Sequence, residues 1–137
     1  MIATVDTNVL ISGILFGGPP GKILAEATEG LFTLALSPPI IEELKQVLLR
    51  PKFGLIPVTV RILVDDIESA ALVVQPGKSH RVVEEDPDDD AIVDCAAEAH
   101  ASYIVSGDAH LTSLGSIAGI DIVTPAQFLQ ITQSRQR

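Results

Sequence analysis

Short β-branched apolar runs alternate along this chain with stretches whose apolar residues recur every three or four positions, and few folds accept that alternation. Ile2–Val5 is the first run and reads as a buried strand that ends on the polar trio Asp6-Thr7-Asn8. Gly17-Gly18-Pro19-Pro20-Gly21 reads as a loop, because three glycines and two prolines in five residues leave little regular to build. Residues 22–28 regain helical spacing through Ile23, Leu24 and Ala27 and stop at Gly30. A second strand-like run covers residues 31–36 and is closed by Ser37-Pro38-Pro39, where Ser37 can cap the next helix and the prolines suit its first turn.

Ile40, Ile41, Leu44, Val47 and Leu48 form one stripe of that helix, which Pro51 ends. After Pro57 a further stripe runs from Val60 to Ala71. Residues 76–90 read as a loop and residues 90–101 as an alanine-rich helix with Asp88 or Asp89 as its cap. Tyr103–Val105 is another strand, ending on Ser106-Gly107-Asp108, and Ile120–Val123 another, with Pro125 opening a last helix. The expectation is an α/β fold, a three-layer α/β/α sandwich around a central, mainly parallel sheet, with right-handed crossovers. At 137 residues this is one domain, spanning residues 1–132 with a polar end at 133–137.

Composition removes several classes. The longest apolar stretches fall far short of the ~20 residues a bilayer demands, and the opening Met1-Ile2-Ala3-Thr4-Val5-Asp6 has no basic region of a signal peptide. A lone cysteine, Cys95, forms no intrachain disulfide and fits a reducing, cytoplasmic compartment. A net charge of -9 argues against a broad surface for coating nucleic acid. Hydrophobic residues at 47% and a mean hydropathy of +0.38 suit a sheet covered on both faces.

Ligands of such sheets bind outside the carboxyl ends of the strands, and two strands here deliver an aspartate to that edge, Asp6 and Asp108. Glu43 lies at the edge of the apolar stripe after the second strand. Asp90 opens the alanine-rich helix, with Asp94 one turn later on the same side. Singly, each acid would be an ordinary cap, turn former or solvated helix face. Together they repel unless a cation sits among them, and hard oxygen ligands select Mg²⁺, Mn²⁺ or Ca²⁺. Thr7 and Asn8 beside Asp6 carry side chains able to hold its second oxygen. Cys95 falls in an apolar stripe and reads as core; His80, His100 and His110 have no metal-ligand spacing.

Val5-Asp6-Thr7-Asn8-Val9-Leu10-Ile11-Ser12 resembles the opening signature of PIN domains. Glu42-Glu43-Leu44 with Val47-Leu48-Leu49-Arg50-Pro51-Lys52-Phe53 is similar to the second-helix motif of the branch assigned to toxin components of toxin–antitoxin systems, the VapC-like branch. Asp86-Pro87-Asp88-Asp89-Asp90 with Ile92-Val93, then Tyr103-Ile104-Val105-Ser106-Gly107-Asp108, resemble its third and fourth blocks, and Val123-Thr124-Pro125-Ala126-Gln127-Phe128-Leu129 its usual last strand and helix. The ordered set spans nearly the whole chain.

The resemblance implies a Mg²⁺- or Mn²⁺-dependent ribonuclease, often the toxin of a pair with a cognate antitoxin, and often a homodimer. Asp6, Glu43, Asp90 and Asp108 would be its catalytic, metal-holding acids, with Asp94 a further candidate ligand and Asn8, Thr7 and Ser106 in support. Many relatives carry a second acid two residues after the fourth aspartate, where this chain has His110, so the resemblance speaks for a first metal position more than a second. RNA contact would rest on a rim of Lys22, Arg50, Lys52, Lys78 and Arg81, all read as in or beside loops, since seven of the eighteen acids crowd between positions 84 and 94. A housekeeping RNA-processing nuclease and a non-catalytic PIN scaffold are the alternatives. An aspartyl phosphatase wants Asp-x-Asp where this chain has Asp6-Thr7-Asn8, and a receiver domain wants a late lysine where none follows Lys78.

Overall fold

The computed structural model describes residues 1–76 and 87–135, and for residues 87–90 the backbone alone. The first half runs β1 (Ile2–Val5), α1 (Thr7–Leu15), α2 (Gly18–Thr28), β2 (Thr33–Leu36), α3 (Pro38–Leu48), a 3-10 turn at Pro51–Phe53, α4 (Pro57–Ser69) and β3 (Leu72–Val73). The second runs α5 (Pro87–Glu98), β4 (Tyr103–Val105), α6 (Ala109–Thr112), β5 (Ser116–Ile117), β6 (Ile120–Val123) and α7 (Pro125–Arg135). Among the described residues no helix is long and apolar enough to cross a membrane.

The strands form one sheet in the order β3-β2-β1-β4-β6-β5, parallel throughout except where β5 returns against β6. Chain order reverses at β1: β2 lies on one side of it and β4 on the other. That makes the gap between the carboxyl ends of β1 and β4 the switch point, the place where open parallel sheets bind ligands. Val5 stands in register with Val105 there. Ala3, Thr4 and Val5 alternate between the two faces of β1 and all are fully buried, so helices cover the sheet on both sides. The helix α5 lies against β1, β2 and β4; α1 packs on both α2 and α3, α3 also meets α4 and α5, and α7 packs on α2. The Phe128 ring of α7 meets Phe32 edge-on at 4.9 Å and Tyr103 at 6.0 Å, so α7 is pinned to the sheet by aromatic contact.

The expected sandwich and the expected strands are present, with local corrections. The Gly-Pro stretch after residue 17 is the start of α2, not a loop. Gly17 and Gly18 take φ of +78° and +64°, which lets the chain turn sharply, and Pro19 and Pro20 then fall in the first turn, where missing N–H groups cost nothing. Lys22 accordingly sits on a helix. The alanine-rich helix begins at Pro87, three residues before the expected start, so Asp88 and Asp89 lie inside its first turn and do not cap it. It stops at Glu98 because His100 adopts φ +54°, and the N–H groups of His100 and Ala101 return to the carbonyls of Ala97 and Ala96, a Schellman closure. The rest of the expected loop, residues 77–86, with Lys78, His80 and Arg81, lies outside the described residues. Ser37 precedes α3 but makes no side-chain cap bond. The last helix is opened instead by a reciprocal capping box: Thr124 N–H donates to Gln127 Oε1 at 2.9 Å and Gln127 N–H to Thr124 Oγ1 at 3.2 Å.

Candidate active site

Both strand-end aspartates act first as helix caps. Asp6 Oδ1 accepts from the Asn8 backbone N–H at 3.3 Å and Asp108 Oδ1 from the His110 backbone N–H at 2.8 Å. The ladder continues one step past the strands, with Asp6 N–H on the Val105 carbonyl (2.8 Å) and Ser106 N–H on the Val123 carbonyl (2.9 Å). This holds Ser106 beside Asp6. Its hydroxyl donates to Asp6 Oδ2 at 2.9 Å and accepts from the Asp108 backbone N–H at 3.0 Å. One buried serine therefore ties the two acids across the switch point. Asp6 is only 6% exposed, and two neutral donors fix the plane of its carboxylate. In this arrangement the Asn8 main chain, not its side chain, takes the second oxygen, and Thr7 is buried in the first turn of α1.

Two grooves open at this edge. The first, about 410 Å³, passes Asp108 and Gly107 and is walled by α1, by Pro20 of α2 and by Pro125 of α7. The second, about 310 Å³, contains the half-buried Glu43 with Glu42, Gln46 and Arg50, and closes on Ala91 of α5. Glu43 thus shares a groove with Ala91, the residue after Asp90 on α5; the Asp90 side chain is outside the described residues. Asp94 is half-buried one turn further along. Among the described side chains no three acids, histidines or cysteines are grouped to hold a metal. Lys22, Arg50 and Lys52 are exposed, Lys52 lying over the Phe53 ring at 5.1 Å.

The described donors suit a hard cation. Asp6, Glu43, Asp94 and Asp108 offer carboxylate oxygen alone, the ligand type of Mg²⁺ and Mn²⁺. Asp6 caps the start of α1, where the helix's partial positive charge suits a carboxylate.

Residues 3–110 match the model of the PIN domain. The chain belongs to the PIN-domain family. Among solved structures, this PIN domain is similar to a chain in the crystal structure of VapBC2 from Rickettsia felis bound to a DNA fragment from their promoter. The TM-score is 0.66 at 14% identity, over 90% of this chain and 98% of that one, a likeness of fold. No curated protein matches the sequence. Against this fold, the groove walls are what the sequence did not disclose. Ser12 had a signal, lying four residues after Asn8 on the same helix face; Pro20 and Pro125 had none, since only tertiary packing brings them to Asp108.

Proposed function

We propose that this PIN domain is a Mg²⁺- or Mn²⁺-dependent endoribonuclease, the VapC-like toxin of a toxin–antitoxin pair, working in the cytoplasm. The observation that carries the reading is the Asp6–Ser106–Asp108 unit at the switch point, a buried carboxylate oriented by a hydroxyl that also braces the second acid. Family membership supports nuclease chemistry, and the likeness to a VapBC assembly supports the toxin role and an antitoxin partner.

Asp6, Asp90 and Asp108 would hold the cation, with Glu43 completing the set and Asp94 behind it. When bound, the cation supplies charge neutralisation at the scissile phosphate and a bound water acidified towards neutral pH. Ser106 keeps the Asp6 carboxylate from rotating, so its oxygens stay aimed at the sheet edge. Asp108 spends Oδ1 on its helix cap and turns the same carboxyl group towards the groove. Lys22, Arg50 and Lys52, with Lys78 and Arg81, would meet phosphates along the rim. With so few cations in a chain of charge -9, RNA binding should weaken steeply with salt.

The test is degradation of single-stranded RNA by the purified protein. Cleavage is expected with Mg²⁺ or Mn²⁺ and should stop in EDTA. Cleavage that survives thorough chelation, or that only Zn²⁺ supports, would overturn the metal assignment.

A further inference from the structure

The groove beside Asp108 has the make-up of a small-molecule site more than of a backbone track. At about 410 Å³ it falls near the lower end of the roughly 300–1,000 Å³ of such sites, too small for a base pair yet ample for one ring and its sugar. Val9, Pro20 and Pro125 give it apolar walls. Asn8 and Ser12, one turn apart on α1, give it an amide and a hydroxyl. Among the described residues neither of those two polar side-chain groups has a hydrogen-bond partner, so both are available to a ligand. Gly107 forms part of the lining, and a Cβ there would meet nothing within 4 Å, so the backbone lies open to a ligand. The Pro20 wall is held firmly. A Cβ at Gly13 would come within 2.8 Å of the Pro20 carbonyl oxygen and 2.7 Å of Leu24 Cδ1, so α1 and α2 meet at a glycine contact with no slack between them.

We infer that this groove is a subsite for one unpaired nucleobase, taken from the nucleotide next to the phosphate that Asp108 faces. The inference rests on the nuclease reading for its substrate, RNA. Flat apolar walls accept any base face, while the Asn8 amide and the Ser12 hydroxyl address its polar edge or the ribose. A base can enter only by leaving its stack, so the subsite selects single-stranded RNA and unpaired loops over duplex.

The test is an abasic scan. Fluorescent single-stranded RNA octamers, one intact and the others each lacking a single base, are titrated with the protein by anisotropy in Ca²⁺, and the same RNAs are assayed for cleavage in Mn²⁺. Removing the base at one position should weaken binding about tenfold, as the contacts of one base with the apolar walls are lost. Ser12→Leu, which fills the groove from a half-buried position on α1, should erase that difference, while Ser12→Ala, which leaves it open, should keep most of it. Cleavage with equal affinity at every abasic position would overturn the subsite and leave the nuclease reading standing. A base-dependent affinity without cleavage would uphold the subsite and sink the nuclease reading. No measurable RNA binding would overturn both.

Discussion

At the scale of single residues, the hydroxyl of Ser106 matters because it is bonded to both halves of the site. Another buried residue outside the site illustrates the opposite case. Cys95 is fully buried on α5, where the Thr4 hydroxyl donates to its sulfur at 3.8 Å. Burial pushes the Cys95 thiol above its ordinary value of 9.0, and the nearby Thr4 and Ser37 hydroxyls only partly pull it back. The folded protein therefore keeps a proton that the unfolded chain gives up. Stability from this group is complete below the unfolded pKa and is lost as pH rises from there through the higher folded pKa. Between about pH 8 and about pH 10 the urea midpoint should fall further for the native protein than for Cys95→Ala. Identical falls would show that the thiol's burial contributes nothing to the pH dependence. The same burial explains why the sequence placed Cys95 in the core and not in the chemistry.

At the scale of elements, the strands and the acids they deliver were legible because each run is apolar, β-branched and closed by a polar residue. What escaped had physical reasons. The segment Thr7–Leu15 is only nine residues long and mixes apolar with small polar residues, so it shows no clear helical stripe, and it forms α1 where it packs on α2 and α3. The strands Leu72–Val73 and Ser116–Ile117 are too short for any period to register. The glycine-proline start of α2 mimics a loop, since Pro is as much a first-turn residue as a helix breaker. Asp6 and Asp108 were read as either caps or ligands, and the geometry makes them caps that remain at the sheet edge. The acidic run is the element where the site can still be divided. With Asp88, Asp89 and Asp90 all in the first turn of α5, only Asp90 shares a helix side with Asp94, and Ala91 beside it faces the groove of Glu43. Asp90→Asn should lose most nuclease activity with circular dichroism unchanged. Asp88→Asn and Asp89→Asn should stay near the native rate, and Asp94→Asn should fall between. Small, equal losses in all four would remove α5 from the site.

At the scale of the whole molecule, the sheet's switch point concentrates negative charge at one edge while apolar surface is left elsewhere. Ile56, Val58 and Ile62 remain exposed along α4, and Phe16 is 77% exposed at the end of α1. Such surface on a small domain is usually covered by a partner, and a homodimer is the expected state. Light scattering at micromolar protein should give twice 14.5 kDa, and a mass of 14.5 kDa would contradict it. At the centre of the proposed function, Asp6 and Asp108, braced by Ser106, would hold the cation on which cleavage depends. Calorimetric titration of Mn²⁺ into the native protein, Asp6→Asn, Asp108→Asn and Ser106→Ala, run beside RNA cleavage by the same samples, tests it directly. Either Asn substitution should abolish both Mn²⁺ binding and cleavage, while Ser106→Ala should weaken Mn²⁺ binding by about 10- to 100-fold, as loss of a group that orients a ligand does. Native Mn²⁺ affinity and native cleavage in Asp6→Asn and Asp108→Asn would contradict it.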